Sequence, residues 1–150
     1  MDERSSSFLG KGWAFPPEFN YEMGTVKTVN DEEDIRQSLR IILGTIPGER
    51  VMYPTFGCGI RKFVFESNDP TQISMLKDVI YDAILYHEPR IKLDKIELKD
   101  NTQVINDEIQ MERWMQTEGL IHIHIYYTVI ITNTRSNMVY PYYLKEGTNL

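Results

Sequence analysis

His122 and His124 lie two apart in an apolar stretch, so as part of a strand their imidazoles share one face. Two imidazoles fall short of the ligand set that zinc takes, and Cys58 and His87 stand elsewhere without ligand spacing. The pair therefore reads as a half-solvated strand face, with a metal shared between two chains as the alternative. Cys58 sits between Gly57 and Gly59, which would let a substrate approach. A thiol nucleophile needs a base within reach, and no His or Asn partner is indicated; Gly-Cys-Gly equally suits a tight turn. Glycoside hydrolysis needs two carboxylates at a defined separation. Glu18, Glu49, Glu66 and Glu88 are candidates, and nothing singles out two of them. Gly57-Cys58-Gly59 also lacks the third glycine and the strand–turn–helix frame of a phosphate loop. The expectation is no catalytic residue, no metal and no cofactor.

The most informative chemistry lies in Tyr86-His87-Glu88-Pro89-Arg90-Ile91. Upstream, Ile73, Leu76, Ile80, Ala83, Ile84 and His87 recur at helical spacing. Pro89 cannot continue a helix, because it lacks an N–H and its ring clashes with the preceding turn. It also pushes Glu88 out of helical geometry. An acid and a base are thus held on either side of a rigid stop. They can pair with each other, Glu88 can pair with Arg50, or each can face a separate partner.

The elements that position these residues follow from periodicity. Residues 1–23 read as an extended N-terminal arm, with Trp13, Phe15, Phe19 and Tyr21 around Pro16-Pro17 as a strap over the core or over a neighbouring subunit. A short strand over 24–29 precedes a helix capped by Asn30 or Asp31, with Ile35, Leu39, Ile42, Leu43 and Ile46 on its apolar face. The prolines and glycines of 47–59 make a turn-rich connection, and 60–65 alternates as a short strand. Asp69-Pro70 opens the second helix, which runs to 87. After Pro89, Ile91 and Leu93 are odd positions while Ile96 and Leu98 are even, which predicts a strand with a bulge near Asp94-Lys95. Residues 100–118 are polar and aperiodic. Residues 120–132 alternate as a strand, with Ile121, Ile123, Ile125, Tyr127, Val129 and Ile131 on one face. A turn over 133–137 leads to a return strand over 138–144, where Pro141 requires an edge position. The predicted fold is α+β: two helices on one face of a small mixed or antiparallel sheet that ends in a long C-terminal hairpin. Residues 24–144 form the single domain and 145–150 a loose tail. The hairpin is long enough to project past the core and offer an edge to another chain's strand.

Bulk properties narrow the class. The 150 residues suit one domain with a real core. A net charge of −6 argues against nucleic acid as the main partner. A single cysteine excludes an internal disulfide and favours a reducing compartment, so cytoplasmic synthesis is expected. The polar start is unlike a signal peptide, and no apolar run predicts membrane insertion.

Several segments, in order, resemble the baseplate wedge family of contractile injection machines, which includes the T-even phage gene-25 product and the type VI secretion protein TssE. They are a helix leading into Pro47-Gly48-Glu49-Arg50, then Phe56-Gly57-Cys58-Gly59-Ile60, then Phe63-Val64-Phe65, the Glu88-Pro89-Arg90 signature, and the alternating strand after Leu120. The resemblance covers about residues 24–132. It implies a structural role in a phage tail, a type VI system or an extracellular particle, between the helical wedge core bundle and the first sheath ring. It places Glu88, Pro89 and Arg90 at the wedge core, with Pro47, Gly48, Arg50, Phe56, Gly57 and Gly59 as its turn signature. Sheath assembly would start by strand addition at the hairpin, with Ile125, Tyr127, Val129, Ile131, Val139 and Tyr140 facing the sheath. The N-terminal arm is a candidate contact for spike or hub proteins, and six-fold symmetry implies about six copies per particle. The alternative function is a muramidase-like cell-wall hydrolase.

Overall fold

The computed structural model of the chain describes residues 8–63, 70–100 and 120–143. Its N-terminal part is a pair of short antiparallel ribbons. Strand β1 (Lys11–Trp13) pairs with β4 (Thr28–Asn30), and β2 (Phe19–Asn20) pairs with β3 (Thr25–Val26). The Ala14 N–H donates to the Lys27 carbonyl and the Lys27 N–H to the Glu18 carbonyl, joining the two ribbons. The Asn20 side chain accepts from the Glu22 and Met23 N–H groups and shapes the turn between β2 and β3. Residues 13–21, expected as an extended strap, are therefore folded back on 25–30. The expected boundary at 23/24 falls inside a ribbon turn.

Helix α1 (Asp31–Gly44) forms because Ile35, Leu39, Ile42 and Leu43 lie on one stripe and are buried. Asp31, Glu32, Glu33 and Asp34 complement the positive end of the helix. Ile46, expected on the same apolar face, lies beyond the helix end and is exposed. Helix α2 (Pro70–His87) starts on its proline, buries Leu76, Ile80, Ala83 and Ile84, and stops ahead of Pro89. Between the helices, the expected strand over 60–65 is instead a 3₁₀ turn (Gly59–Phe63). Ile60 drops into the core there, and its carbonyl accepts from the Tyr142 hydroxyl at 3.2 Å, so no strand partner is required. Residues 64–69 lie outside the described residues.

Strands β5 (Ile91–Asp100), β6 (Leu120–Val129) and β7 (Thr134–Tyr143) form an antiparallel sheet in the order β5-β6-β7. The predicted bulge is present as a register shift between Leu93 and Lys95. It lets Leu93 and Ile96 both pack against the core despite their opposite parity. On β6, Ile121, Ile123, Ile125, Tyr127 and Val129 face the helices and are buried. Each such aliphatic side chain contributes roughly 1.5–3 kcal/mol by leaving water. The strand ends at Val129 rather than at 132, because residues 130–133 form the hairpin turn to β7; the Ile130 N–H still donates to the carbonyl of Arg90, its register partner just ahead of β5. Asn133 takes a positive φ of 52°, which asparagine tolerates, and β7 resumes at Thr134. Ile131 is thus an exposed turn residue and not part of the strand's inner face. The 101–119 insert and the 144–150 tail lie outside the described residues.

Candidate functional site

Glu88, Pro89 and Arg90 follow α2 directly, and the helix stop fixes where their side chains go. The Glu88 N–H closes the last helical bond to the Ile84 carbonyl at 2.9 Å. Its carboxylate is only 2% exposed and accepts two bonds from Arg90: Nε to Oε1 at 2.6 Å and Nη2 to Oε2 at 2.8 Å. This fork geometry matches a planar guanidinium to a planar carboxylate. The remaining Arg90 nitrogen, Nη1, donates to Asp34 Oδ2 at 2.7 Å and to the Leu9 carbonyl at 3.2 Å. Glu88 first, and Asp34 after it, push the Arg90 pKa further up, although burial acts the other way. Asp31 secures the same corner: its carboxylate accepts from the Leu9 N–H and its own N–H donates to the Gly10 carbonyl. One guanidinium therefore ties together the end of α2, the first turn of α1 and the N-terminal segment.

The Pro47–Gly59 connection packs against the same end of α2. The Gly48 N–H donates to the Pro54 carbonyl at 2.7 Å and the Cys58 N–H to the Thr45 carbonyl at 2.9 Å. Phe56 lies between the Arg50 guanidinium, 4.3 Å from the ring centre, and the His87 ring at 4.9 Å. Tyr53 joins the cluster at 5.9 Å from His87. Arg50 thus stacks on an aromatic ring, while Glu88 pairs with Arg90. Gly57 has φ +124°, and a Cβ there would overlap the Thr45 carbonyl, so this position admits glycine alone without a backbone shift. Gly59 is partly buried at the start of the 3₁₀ turn, and Pro47 begins the connection just beyond Ile46. Val51 and Met52 project from the tip almost fully exposed.

The residues expected to face a sheath separate into two groups. Ile125, Tyr127 and Val129 are core residues of the central strand, covered by the helices and flanked by β5 and β7, so they form no edge. Ile131 lies in the exposed 130–133 turn. Val139 and Tyr140 are on β7, which has no strand on its outer side among the described residues.

The other candidates have local structural partners. Cys58 is buried, its thiol donates to the Val79 carbonyl at 3.8 Å, and burial pushes its pKa up to about 11. A thiol in that state is a poor nucleophile. In the folded protein Cys58 is expected to alkylate with iodoacetamide at pH 8 at least about 100-fold more slowly than in urea-unfolded protein. Equal rates would show that the thiol is accessible. Glu18 pairs with Lys27 at 3.0 Å and Glu49 accepts from the Ile46 N–H at 3.1 Å, while Glu66 lies outside the described residues. His122 and His124 share the outer sheet face, where partial burial first, then Lys99 and His122, lower the His124 pKa. Among the described residues no three His, Cys, Asp or Glu side chains are grouped to hold a metal. Asp34 and Leu9, the two further partners of Arg90, do not stand out in the sequence. Asp34 looks there like one more helix-end charge, and a backbone carbonyl leaves no mark in a sequence.

The fold is a small α+β domain in which Glu88, Arg90 and Asp34 are engaged with one another. Residues 29–134 match the profile of baseplate wedge protein gp25, and the chain belongs to that family. It is 35% identical over 69 residues to baseplate protein W of Escherichia phage P2, a stretch covering 46% of this chain and 60% of that protein. The match thus spans less than two thirds of that relative's length. Among solved structures, it is similar to a Geobacter sulfurreducens protein described as a candidate tail lysozyme, with 42% identity and a TM-score of 0.63. That likeness covers 77% of this chain and 93% of the other. It is also similar to a chain of the anti-feeding prophage baseplate, with 25% identity, a TM-score of 0.59, and 93% and 89% of the two chains covered.

Proposed function

We propose that the protein is a non-catalytic joint of the baseplate, linking the wedge core bundle to the first sheath ring and starting sheath assembly by strand addition. The observation that carries this reading is the β7 edge, which has no strand on its outer side among the described residues, in a chain of the baseplate wedge family. Pro141 indicates which groups the edge presents. A proline fits an edge strand where the N–H it lacks would point away from the neighbouring strand. In an antiparallel strand, N–H and C=O of one residue point to the same side, and successive residues alternate. Arg135, Asn137 and Val139 therefore direct their backbone groups outward with Pro141.

At the other end, the Glu88-Pro89-Arg90 turn meets the wedge core bundle. The exposed Pro89 and the outer face of Arg90 make the contact, while Glu88 stays behind as the buried counterion. The N-terminal ribbons reach towards spike or hub proteins with exposed Trp13, Phe15, Phe19 and Tyr21. The protein is made in the cytoplasm and enters each particle in about six copies. The muramidase alternative is weakened by the carboxylates: Glu18, Glu49 and Glu88 each have an internal partner.

Val139→Pro tests the edge. It removes an outward N–H and leaves the β6–β7 ladder in place, so Tm should hardly change. Baseplates should still form, while sheathed particles fall at least about tenfold, the loss expected when a main-chain contact worth one decade is removed. Normal sheath yield in a folded Val139→Pro protein would refute strand addition at β7. Clearance of peptidoglycan by the purified protein would support the hydrolase instead.

A further inference from the structure

A groove of about 550 Å³ runs between the C-terminal half of α1, the N-terminal segment and the end of β7. Phe15, Arg40, Gly44, Arg50, Tyr140 and Pro141 are among its lining residues, and no carboxylate lines it. In a chain of net charge −6, the two arginines give this groove a positive lining. Arg40 is exposed and makes no hydrogen bond or ion pair among the described residues. Arg50 is held by its face on Phe56, which leaves the in-plane N–H donors of its guanidinium available. Phe15 is fixed by its own N–H, which donates to Gln37 Oε1 at 2.7 Å. Arg50 is thus presented on an aromatic support, Arg40 stands free beside it among the described residues, and Phe15 and Tyr140 add aromatic lining.

The groove lies where β7 offers its outer side. A strand added there would sit about 4.8 Å further out. Its alternate side chains would point towards the helix layer, where Arg40 and Arg50 stand. We infer that this groove binds a carboxylate carried by the extended segment of a partner chain, an Asp or Glu side chain that docks on Arg40 and Arg50 while its backbone pairs with β7. The inference rests on the strand-addition reading and adds to it the chemistry that selects the strand. Main-chain pairing is blind to sequence, whereas a bidentate arginine–carboxylate contact is not. A segment with lysine or arginine at that position would be rejected by like charge.

A photo-crosslinking side chain at position 137, on the edge and away from the groove, separates the two ideas. It is introduced into the full chain during particle production, alone and together with Arg40→Glu. The expected result is a crosslinked partner peptide that carries Asp or Glu close to the crosslink. Its yield should fall at least tenfold with Arg40→Glu and recover when that acid is changed to arginine in the partner. Arg50→Gln should give a smaller loss, since it removes charge without reversing it. A crosslink of undiminished yield in the Arg40→Glu protein, or one to a segment with no acid, would overturn the carboxylate site and leave strand addition standing. No crosslink at position 137 in sheathed particles would overturn both.

Discussion

Arg90→Ala is expected to lower the stability of the fold by about 3–5 kcal/mol, the cost of leaving a buried charge without its partner. For a chain of this size that corresponds to a fall in Tm of roughly 10 °C, readable by calorimetry or circular dichroism. The size of the effect follows from Glu88. With 2% exposure it cannot turn to water, and Arg90 donates to both of its oxygens. The same substitution strips Asp34 and the Leu9 carbonyl of a donor, so the N-terminal segment should loosen as well. Arg90→Lys should recover only part of the loss, because an ammonium cannot serve Glu88 and Asp34 with the same planar fork. Asp34→Ala should cost about 1 kcal/mol, since its bond to Arg90 is more exposed and Glu88 keeps its partner. Equal costs for Arg90→Ala and Asp34→Ala would mean that the stranded Glu88 charge is not the main source of the loss. Baseplate assembly should suffer in proportion to stability for Asp34→Ala. It should suffer more than in proportion for Arg90→Ala, if Arg90 also touches the wedge core.

Gly57→Ala should be comparably severe, at about 3 kcal/mol, by a backbone mechanism. The added methyl would meet the Thr45 carbonyl, which is itself held by the Cys58 N–H and cannot swing aside freely. The positive φ adds strain that any L side chain would feel. Gly48→Ala is the control: Gly48 also has a positive φ, +91°, yet a Cβ there meets nothing within 4 Å. It should cost about 1 kcal/mol. Similar losses at the two positions, measured as urea midpoints, would mean that the Thr45 contact does not matter. Because Phe56 precedes Gly57 and packs on His87, the Gly57→Ala protein should also lose the Phe56–His87 contact, visible as altered aromatic shifts.

Much of this architecture is legible in the residues, and the reasons it is legible are local. The helix over 70–87 has a proline at its first position and a proline two residues past its end. The bulge in β5 is written in the parity change between Leu93 and Ile96. What was not legible depends on distant partners. The run 60–65 alternates like a strand, but such a short run does not say whether a strand is there to pair with it, and Ile60 turns inward in a 3₁₀ turn instead. Ile130 and Ile131 continue the apolar pattern of β6, so nothing in composition announces that the hairpin turns at 130–133 and the strand stops at Val129. The pairing of Lys11–Trp13 with Thr28–Asn30 joins two segments that each look merely extended. At the site, the helix stop at Pro89 and the opposite charges around it were readable. That they face each other, with Asp34 as a second acceptor, was one of several open geometries. The alternation that gathers Ile125, Tyr127 and Val129 on one face does not reveal what covers that face. Here it is the protein's own helices, so these residues are core and the sheet's edges are β5 and β7.

Whether this chain joins the wedge core to the first sheath ring is tested most directly by electron cryo-microscopy of the intact native particle at side-chain resolution. The predicted result is density for this chain between a helical core bundle and the first sheath ring. Pro89 and Arg90 should lie against the bundle, and a sheath strand should be paired to Arg135, Asn137 and Val139. A particle in which β7 stays uncovered, or in which the chain lies away from both bundle and sheath, would contradict that role.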